Sequence, residues 1–492
     1  MNINIKKFEE KIPKHVRNVA DILNGNGYKA YLVGGSVRDF VLGKEPKDYD
    51  IATDALPAKV AILFPRCITT NVRFGTVLVI MDSAANGEKF DVEVTTFRKE
   101  ADYYRGRWPS KVEFTNDLLG DLSRRDFTIN AMAIDLSKIS DPVSLNSELL
   151  IDPFGGIDDI EKKTIKAVGI AVERFTEDGL RAFKACRLSC ELEFEIEEKT
   201  FKAIKTTLGI ANIISTERIR DEFLKMLYHS IKPSIGIELM RKSGLLELFL
   251  PEILEEIGVT QPEFHKDDLY THSLKVLDLA EDSIKLAGLF HDIGKIKTKK
   301  IGHNGRIHFY GHDIEGAQMT NKILKRLKLP KNEISKVTNL IRWHMFFYPS
   351  NQWRKEYGVE NISKIEEKKG MLGGWSDSAI RRFIKNVGEE QIEDLFKLRI
   401  ADAASNPMSV FDKNEITLLQ KRISDVKASE MIIKISDLAI KGNDLKEIGI
   451  KSGPQMGMIL KYLLEKVIDD PLMNTKEALT QEIKRYLSTL KL

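Results

Sequence analysis

One stretch decides the fold at the front of this chain: KAYLVGGSVRDFVLGKEPKDYDIAT, Lys29–Thr53. Its apolar start, Tyr31–Val33, predicts a short strand. Gly34 and Gly35 follow directly, and glycine lets a backbone turn approach a ligand closely. A glycine turn that opens a helix leaves free backbone N–H groups, so the stretch predicts an anion site.

The turn leads into a predicted short helix over 36–42. Ser36 with Asp39 is typical of a capping box at its start, and Gly43 is typical of the position just past its end. Arg38 lies in the first turn of this helix, where its guanidinium could bind a phosphate oxygen in bidentate fashion. We therefore expect the helix to contribute to a phosphate site.

Two pairs of carboxylates come next. Asp48 and Asp50 are two residues apart in a predicted strand, so we expect their side chains on the same face. Asp91 and Glu93 in FDVEVTTFR alternate in the same way, and either could join the first pair in a sheet. Same-face carboxylates need a cation, and paired Mg²⁺ ions bound to carboxylates and triphosphate oxygens catalyse phosphoryl or nucleotidyl transfer. The competing interpretation is an acidic edge strand or turn.

Two further motifs carry charged residues at helical spacing. SRRDFTINAMAID predicts a helix headed by Arg124, Arg125 and Asp126, with Asn130 one turn on. RFTEDGLRAFKACRLSCEL predicts a helix over Glu177–Leu192 that carries a polar stripe: Asp178, Arg181 and Lys184, with Glu177 and Arg187 beside it. Taken alone, such a stripe is also typical of a solvated helix face with salt bridges.

Composition limits the class of protein. The 492 residues include 76 Lys+Arg and 73 Asp+Glu, a formal net charge of +3, with 42% hydrophobic residues, which excludes a disordered or collagen-like chain. Three cysteines cannot form a disulfide framework, so they indicate a reducing compartment. No apolar run approaches the roughly 18–20 residues that span a bilayer, and no signal peptide is recognised. We expect a cytoplasmic protein with no membrane association and no obligate protein partner; a local nucleic-acid footprint remains compatible with this charge.

The front half resembles the class II tRNA nucleotidyltransferases and bacterial poly(A) polymerases. Six motifs over Tyr31–Phe223 carry the resemblance, in order: YLVGGSVRD, KDYDIAT, SRRDFTINAMAID, DPFGGIDDI, RFTEDGLRAFKACRL and STERIRDEF. It implies a polymerase β-like nucleotidyltransferase head of the α/β class, followed by all-α domains. It also implies a template-independent enzyme that adds CMP and AMP from CTP and ATP to build or repair the 3′-CCA end of tRNA with two Mg²⁺ ions. An A-only adding enzyme or a poly(A) polymerase is the alternative within the same class.

The resemblance also implies roles for individual residues. Carried over motif by motif, these are Gly35 and Arg38 at the triphosphate; Asp48 and Asp50 as catalytic Mg²⁺ ligands; Arg125, Asp126 and Asn130 at the nucleotide; Glu177, Asp178 and Arg181 as the base-reading motif, with Lys184 and Arg187 below it; and Asp152–Ile160 as the hinge between head and neck.

The sequence departs from the family pattern at two positions. Gly179 stands where Pro is usual, which is expected to loosen the first helical turn, and Lys184 stands where Arg is usual, which replaces a bidentate group with a point charge.

Base selection can be argued on chemistry alone. C and A share an exocyclic amine beside a bare ring nitrogen, so Asp178 can accept from the amine while Arg181 donates to the ring. U and G would leave these groups unpaired.

The segment FRKEADYYRGRWPSKVEF, Phe97–Phe114, resembles the flexible loop that the family associates with the switch from C to A addition. Its presence favours full CCA addition or A addition over CC-only addition. A basic surface loop is the competing interpretation, since Arg105, Arg107 and Trp108 could contact RNA phosphates and bases.

Histidines concentrate in a second constellation: seven of the nine lie between His265 and His344. Imidazole and carboxylate are ligands for divalent transition metals. The order of His, His-Asp, His, His and Asp resembles the HD metal-dependent phosphohydrolases. That resemblance implies the following metal ligands: His272, His291, Asp292 and Asp402 as the core set, and His312 and His344 as the added ligands of two-metal sites.

The HD resemblance also implies a chemistry. Lys295 would contact a substrate phosphate, and metal-activated water would attack a phosphoester at RNA ends or nucleotides. The sequence does not identify the metal. One alternative is a retained helical scaffold with little activity. Another, of a different class, is an HD phosphohydrolase whose front half is a non-catalytic RNA-binding module.

The chain is expected to divide into four parts. These are a nucleotidyltransferase head at 1–150, a helical neck and body that bind RNA and nucleotide at 151–263, an HD domain at 264–405, and a helical tRNA-binding tail at 406–492. Within the tail, Gly449, Gly453 and Gly457 could bring backbone N–H groups close to phosphate, and the helix that follows is amphipathic. A plain helix–helix turn is the competing interpretation of these glycines.

Overall fold

The computed structural model describes residues 11–70, 72–82, 89–104, 108–138, 149–261, 266–303, 305–346, 348, 375–406, 413–428 and 433–489, with backbone alone for 72, 82, 100–104 and 108–111. The chain forms two compact units, Met1–Leu254 and Glu255–Leu492. Each unit is described by itself.

The first unit begins with an α/β part. Its elements are α1 Lys14–Gly25, β1 Ala30–Val33, α2 Gly35–Val41, β2 Asp50–Thr53, α3 Pro57–Leu63, β3 Cys67–Ile68, β4 Thr76–Asp82, β5 Lys89–Thr96, β6 Arg98–Tyr104, β7 Trp108–Phe114, α4 Leu118–Ser123, β8 Ala133–Asp135 and β9 Leu150–Ile151. Short 3₁₀ turns at Val72–Phe74, Thr128–Asn130 and Leu136–Lys138 complete it.

Seven of these strands form one mixed sheet in the order β3-β4-β5-β2-β1-β8-β9. The pair β2 and β5 is parallel, and the other neighbours are antiparallel. Val33, Ala52, Phe97, Leu122 and Ala133 pack as a buried cluster in this part. The strands expected near Tyr31, Asp50 and Asp91 are therefore confirmed. The segment expected as a flexible loop contains the antiparallel ribbon β6–β7; Arg105 and Arg107 lie outside the described residues, as does the side chain of Trp108.

Three local expectations are wrong in detail. Ser36 does not cap α2, because its Oγ donates to the Val33 carbonyl oxygen at 2.9 Å and Gly34 is the N-cap residue. Asp48 lies in the bend before β2 rather than within a strand. Residues 123–135 do not form one helix: the chain turns after α4, makes a 3₁₀ turn and enters β8, since the apolar end of the motif is used as a sheet strand.

The rest of the first unit is mostly helical. Its elements are α5 Gly156–Glu161, β10 Thr164–Ile165, α6 Ala171–Glu177, α7 Leu180–Leu192, β11 Glu195–Ile196, α8 Glu198–Thr206, α9 Leu208–Ala211, α10 Thr216–His229, α11 Pro233–Ser243, α12 Leu245–Phe249 and α13 Pro251–Leu254. The single helix expected over Glu177–Leu192 is broken at Asp178–Gly179, between α6 and α7.

The second unit is almost entirely helical. Its elements are α14 Leu269–Leu279, α15 Lys285–Phe290, α16 Lys295–Thr298, β12 Lys300–Ile301, β13 Ile307–His308, α17 His312–Arg326, α18 Lys331–Trp343, α19 Asp377–Val387, α20 Ile392–Ser405, α21 Lys413–Ala428, α22 Gly442–Glu447, α23 Pro454–Asp469 and α24 Lys476–Thr489. The tail helix α23 is amphipathic as expected, with Ile459, Leu463 and Leu464 buried. No helix among the described residues is long and apolar enough to cross a membrane. An α/β head followed by helices confirms the expected fold class.

Candidate active sites

The acidic group of the head lies where β2 and β5 run side by side. Asp50, the first residue of β2, stands in parallel register opposite Glu93 on β5. Asp91 lies two residues earlier on β5, before the pairing with β2 begins, and faces Ile80 of β4 on the other side. Burial raises the pKa of Asp50; the Arg125 guanidinium opposes this rise, and the nearby Asp48 charge adds to it. Such a carboxylate group favours a bound cation.

The glycine turn passes close to these acids. Gly34 has a φ of +78°, and a Cβ atom there would lie 3.2 Å from Asp50 Oδ2 and 3.3 Å from Arg125 Nη1. Glycine therefore allows the turn to pass beside a carboxylate and a guanidinium. Nε of Arg125 is buried without a hydrogen-bond partner among the described residues, while its Nη2 donates to Asp121 at 3.3 Å. A metal-bound triphosphate fits a site with these groups: the carboxylates of Asp48, Asp50 and Glu93, the Arg125 guanidinium, and the glycine turn at Gly34.

A hydrogen-bonded chain joins four of the residues that the sequence singled out. Arg38 Nη1 donates to Asn130 Oδ1 at 3.0 Å, and Asn130 Nδ2 donates to Asp126 Oδ1 at 3.2 Å. Lys184 Nζ lies 3.5 Å from Asp126 Oδ2. Burial acts to raise the pKa of Asp126, but Lys184 and Arg181 lower it to about 2. The structure therefore fixes Asp126 as an anion within a chain of contacts that joins residues of three separate motifs.

The residues expected to read the base are each paired with a neighbour. Asp178 accepts two hydrogen bonds from Arg218 on α10, at 3.1 Å from Nη1 and 2.7 Å from Nη2. Arg181 is buried and donates to Glu177 Oε2 at 2.7 Å and to the Arg124 carbonyl oxygen at 2.7 Å. Asp178 and Arg181, two members of the polar stripe in the sequence, are therefore paired within the protein rather than solvated. Sequence reasoning quoted the motif STERIRDEF but assigned no role to Arg218.

Arg187 lies deeper in the helical part. Its Nε donates to Glu222 at 2.6 Å and its Nη1 donates to Glu191 at 2.7 Å, so it joins α7 to α10. Burial alone would lower the pKa of Arg187, but the two glutamates raise it. Arg187 thus stabilises the pair of helices α7 and α10, which carry Arg181 and Arg218.

Gly179 has a packing reason to be glycine. A Cβ atom there would lie 2.8 Å from the Ile210 carbonyl oxygen and 2.9 Å from Ala211 Cα. A proline or any other side chain would therefore push α9 away from the start of α7. The departure from the family pattern is accommodated by this close approach.

A second cluster lies in the helical second unit, where all six expected HD residues meet. Two groups have ligand atoms within 4.8 Å of one another, namely His272, His291 and Asp292, and Asp292, His312 and His344. Asp292 belongs to both groups: its Oδ2 lies 3.2 Å from His291 Nε2, and its Oδ1 lies 3.3 Å from His312 Nε2. Asp402 Oδ1 lies 3.3 Å from His272 Nε2, on the side of the first group.

The histidines are held so that their Nε2 atoms converge. Nδ1 donates to a backbone carbonyl oxygen in three of them: His291 to Gly288, His312 to Phe309 and His344 to Ile341, at 2.8, 2.8 and 2.6 Å. His272 Nδ1 lies 3.0 Å from Ser405 Oγ, which itself donates to the Asp402 carbonyl oxygen. Outer partners of this kind orient metal-binding histidines.

The spacing of the ring nitrogens fits bound ions. His272 Nε2 and His291 Nε2 are 3.2 Å apart, and His312 Nε2 and His344 Nε2 are 3.4 Å apart. Two nitrogens bound at about 2.0–2.1 Å to one tetrahedral ion are separated by about 3.3 Å. Burial acts to lower the pKa of His272, but Asp292 and Asp402 raise it to about 9. Because the nitrogen spacings match one ion per histidine pair and Asp292 belongs to both groups, the donor set fits two divalent cations that share Asp292.

Lys295 packs against this centre, together with residues that the sequence did not indicate. Its Nζ donates to Asp292 Oδ2 at 2.6 Å and to Gln261 Oε1 at 2.9 Å. Glu256 is fully buried, and burial raises its pKa well above the usual range, although the neighbouring Ser273 hydroxyl acts to lower it. Gln261 and Glu256 precede the first HD motif and carried no metal-ligand pattern, so sequence reasoning missed them.

Gly294 and Gly316 allow close backbone packing between the His291–Asp292 turn and α17, which begins with His312. A Cβ atom at Gly294 would overlap the His312 carbonyl oxygen and lie 2.5 Å from the Gly316 amide nitrogen. We expect Gly294→Ala to displace α17 from the His291–Asp292 turn and to cost about 3 kcal/mol or more. Thermal unfolding and Mn²⁺ titration should show lower stability and loss of binding at the His312 side.

Gly457→Ala is the matched control for this change. A Cβ atom at Gly457, within α23, meets nothing within 4 Å. Alanine is also the better helix former, so this variant should unfold at the same temperature or higher. Equal stability of the two variants would contradict the packing argument at Gly294.

Comparison with known proteins finds matches along both parts of the chain. Residues 30–166 match the poly A polymerase head domain, 193–257 the "Probable RNA and SrmB- binding site of polymerase A", 269–406 the HD domain, and 389–483 the tRNA nucleotidyltransferase domain 2. The CCA-adding enzyme of Lactococcus lactis subsp. lactis is 30% identical over 97% of this chain and 99% of its own length. That of Pediococcus pentosaceus is 32% identical over 95% and 97%. The crystal structure of the Bacillus stearothermophilus CCA-adding enzyme in complex with CTP aligns with a TM-score of 0.64 and 25% identity, over 97% of this chain and 98% of that one.

Fold and site together define a template-independent nucleotidyltransferase head joined to helical domains that include an HD domain. The full-length similarity then identifies the family more narrowly: the chain belongs to the CCA-adding enzymes. The family resemblance read from the motifs is confirmed.

Proposed function

We propose that this enzyme builds or repairs the 3′-CCA end of tRNA from CTP and ATP. The observation that carries the proposal is the register of Asp50 against Glu93 beside the Gly34 turn. Asp48 and Asp50 would hold Mg²⁺, with Glu93 next to them. Mg²⁺ bound there would favour ionisation of the tRNA 3′-OH and stabilise the pyrophosphate that leaves.

The cationic groups around the turn would bind the triphosphate. Gly35 lies at the start of α2, and a Cβ atom there would lie 3.4 Å from Arg38 Nη2, so the turn and the guanidinium are neighbours. Arg38 is oriented by Asp39 at 2.7 Å and by Asn130. Arg125 Nη1 lies beside the same turn as Asp50 Oδ2, and its Nε has no hydrogen-bond partner among the described residues. We infer that these groups position the α-phosphate for in-line attack.

The sugar and base would be read from the other side of the same site. Asp126 is held by Asn130 and Lys184, which supports a role as a fixed acceptor for a donor on the nucleotide. Asp178 can accept the amine of C or A, and Arg181 can donate to the ring nitrogen. Neither U nor G satisfies both groups.

Arg218 is expected to control this reading through Asp178. Arg218→Lys replaces a bidentate partner with a point charge, so the carboxylate loses its fixed plane. We predict that discrimination of CTP against UTP falls about tenfold, measured as kcat/KM for each nucleotide on tRNA that lacks CCA.

Arg220→Lys serves as the control on the same helix. Arg220 pairs with exposed Asp221 at 2.7 Å, away from Asp178. This variant should keep the discrimination of the unmodified enzyme. A rate loss in Arg218→Lys that affects all four nucleotides equally would exclude a role in base selection.

The HD centre supports a second activity. Six convergent ligand groups, with Lys295 against them, favour hydrolysis of phosphoesters at RNA ends or nucleotides by metal-activated water. Divalent transition metals suit the imidazole-rich set. Cleaning of 3′ ends would complement their extension.

The remaining expectations belong to this proposal. We assign head, neck and body, HD domain and tail to 1–150, 151–263, 264–405 and 406–492, with α5 as part of the hinge and Gly449, Gly453 and Gly457 at the tRNA elbow. Asp152 accepts from the amides of Gly156 and Ile157 at 2.7 and 2.9 Å, which fixes the turn into α5. The three cysteines, none of which forms a disulfide, agree with a cytoplasmic location.

One experiment tests the transferase proposal. tRNAs that end before CC, after CC and after CCA are each incubated with labelled CTP or ATP and Mg²⁺. We expect C on the first, A on the second and nothing on the third. A alone, without C on the first substrate, would identify an A-only enzyme or poly(A) polymerase; no incorporation on any of them would refute both transferase readings.

A further inference from the structure

The HD centre is more open to solvent on one side than on the others. Four of its six ligand side chains are at most 4% exposed, namely His272, His291, Asp292 and His344. His312 is 8% exposed, and Asp402 is the most exposed ligand at 17%. Arg399, a neighbour of Asp402 on α20, is 24% exposed. Solvent, and therefore a substrate, reaches the centre most readily on the side of Asp402.

Arg399 stands directly beside this open side. It precedes Asp402 by three residues on α20, so the two side chains share a face of the helix. Arg399 Nη1 donates to Asp402 Oδ2 at 3.1 Å. The other oxygen, Asp402 Oδ1, lies 3.3 Å from His272 Nε2 and 3.7 Å from His291 Nε2. A single carboxylate therefore separates the guanidinium from the first ligand group.

The next residue of the same helix face also contacts the centre. Ser405 follows Asp402 by three residues, and its Oγ lies 3.0 Å from His272 Nδ1. The same hydroxyl donates to the Asp402 carbonyl oxygen at 2.7 Å. The face of α20 that carries Arg399, Asp402 and Ser405 is therefore turned toward the HD centre.

Lys295, to which the family resemblance gives the phosphate contact, is enclosed instead. Its Nζ donates to Asp292 Oδ2 at 2.6 Å and to Gln261 Oε1 at 2.9 Å. The same atom lies 5.4 Å from the centroid of the Phe309 ring, within the range of a cation–π contact. An ammonium group has three N–H donors, so these three neighbours surround it. A phosphate would bind Lys295 only by displacing one of them.

We propose that Arg399 binds the phosphate group of the substrate at the HD centre. A guanidinium carries five N–H donors in a rigid fork, so a contact with Asp402 is compatible with a second contact to phosphate. Parallel N–H groups of arginine match two phosphate oxygens at once. The substrate in this proposal rests on the proposed hydrolase function, but binding of phosphate requires no hydrolysis.

A purely orienting role of Arg399 is the competing interpretation. An outer partner of a ligand carboxylate fixes that ligand and thereby changes the affinity for metal. If Arg399 only orients Asp402, its removal weakens metal binding at the first ligand group. If Arg399 binds phosphate, its removal weakens phosphate binding and spares the metal.

Calorimetric titration of the full-length protein with Mn²⁺, followed by inorganic phosphate, separates the two roles. Asp292→Asn, which lacks the shared ligand, supplies the background from other sites. We expect Arg399→Met to keep both Mn²⁺ equivalents of the HD centre. Its phosphate dissociation constant should rise at least about tenfold, as expected for the loss of a charged hydrogen bond. Arg399→Lys keeps the charge without the fork, so its phosphate affinity should be intermediate.

Lys397→Met is the matched control on the same helix. Lys397 lies two residues before Arg399 and pairs with Glu281 at 2.8 Å. This variant should bind Mn²⁺ and phosphate as the unmodified protein does. Four results would each overturn the proposal: loss of an Mn²⁺ equivalent in Arg399→Met, an unchanged phosphate dissociation constant, an equal loss in Lys397→Met, or no phosphate binding above the background.

Hydrolysis assays distinguish this proposal from the proposed hydrolase function. An unmodified protein that binds Mn²⁺ and phosphate but hydrolyses no phosphoester would refute the hydrolase and leave the assignment of Arg399 standing. Hydrolysis with the same KM in Arg399→Met and in the unmodified protein would refute the assignment and leave the hydrolase standing.

Discussion

Asp50→Asn should reduce CMP incorporation into tRNA lacking CCA by at least about a thousandfold, or about 4 kcal/mol of transition-state stabilisation. The carboxylate stands opposite Glu93 and next to the Gly34 turn, where a cation and the triphosphate must meet. An amide of the same shape keeps the sheet but cannot supply the negative charge that a metal requires. Single-turnover kinetics with CTP measures the loss.

The matched control lies on the neighbouring strand. Asp91 lies two residues before the point where β5 begins to pair with β2, so Asp91→Asn should leave transfer within about twofold. Glu93→Gln should reduce it clearly, since Glu93 is the acid in register with Asp50. Loss of activity in Asp91→Asn with none in Glu93→Gln would show that the register does not define the metal group. Phosphoester hydrolysis should be unchanged in all three variants.

Asp292→Asn should remove both metal positions of the HD centre at once. Asp292 offers Oδ2 to His272 and His291 and Oδ1 to His312 and His344. Burial would raise its pKa, but Lys295 and the imidazoles hold the pKa well below the usual range, so the native group is an anion. The neutral amide should abolish Mn²⁺ binding in calorimetric titration and reduce hydrolysis at least about a thousandfold.

Two single-sided variants separate the positions. Asp402→Asn touches only the first group, and His344→Gln only the second. Each should remove one Mn²⁺ equivalent and leave the other. CMP incorporation should persist in all of these variants, because the head residues are unaltered. If Asp292→Asn removes only one equivalent, the shared-ligand geometry is wrong.

The sequence allowed the fold class and the membership of both sites to be predicted because each motif is local. Tyr31–Val33 with Gly34 and Gly35 specifies a strand and turn through periodicity and glycine alone, and the strand is confirmed. His291 and Asp292 are adjacent in sequence, so their common site could be inferred before any contact was known.

The rest depended on tertiary contacts that no spacing encodes. Arg218 is 40 residues from Asp178, and Gln261 is 34 residues from Lys295. Gly179 differs from the family pattern because residues 210 and 211 approach its backbone, which is visible only in the packed structure. The helix expected over 123–135 failed because its apolar residues complete the sheet.

Ion pairs with Arg218 and Glu177 define the state of Asp178 and Arg181 in the enzyme without nucleotide. Without a nucleotide, each of these two proposed base-reading groups already has a partner within the protein. An incoming base therefore enters by exchange: it must offer a donor and an acceptor at least as good as the contacts it displaces or shares. A mismatched base would gain nothing from that exchange. In an enzyme without a nucleic-acid template, two internal ion pairs would therefore set the free-energy threshold for nucleotide selection.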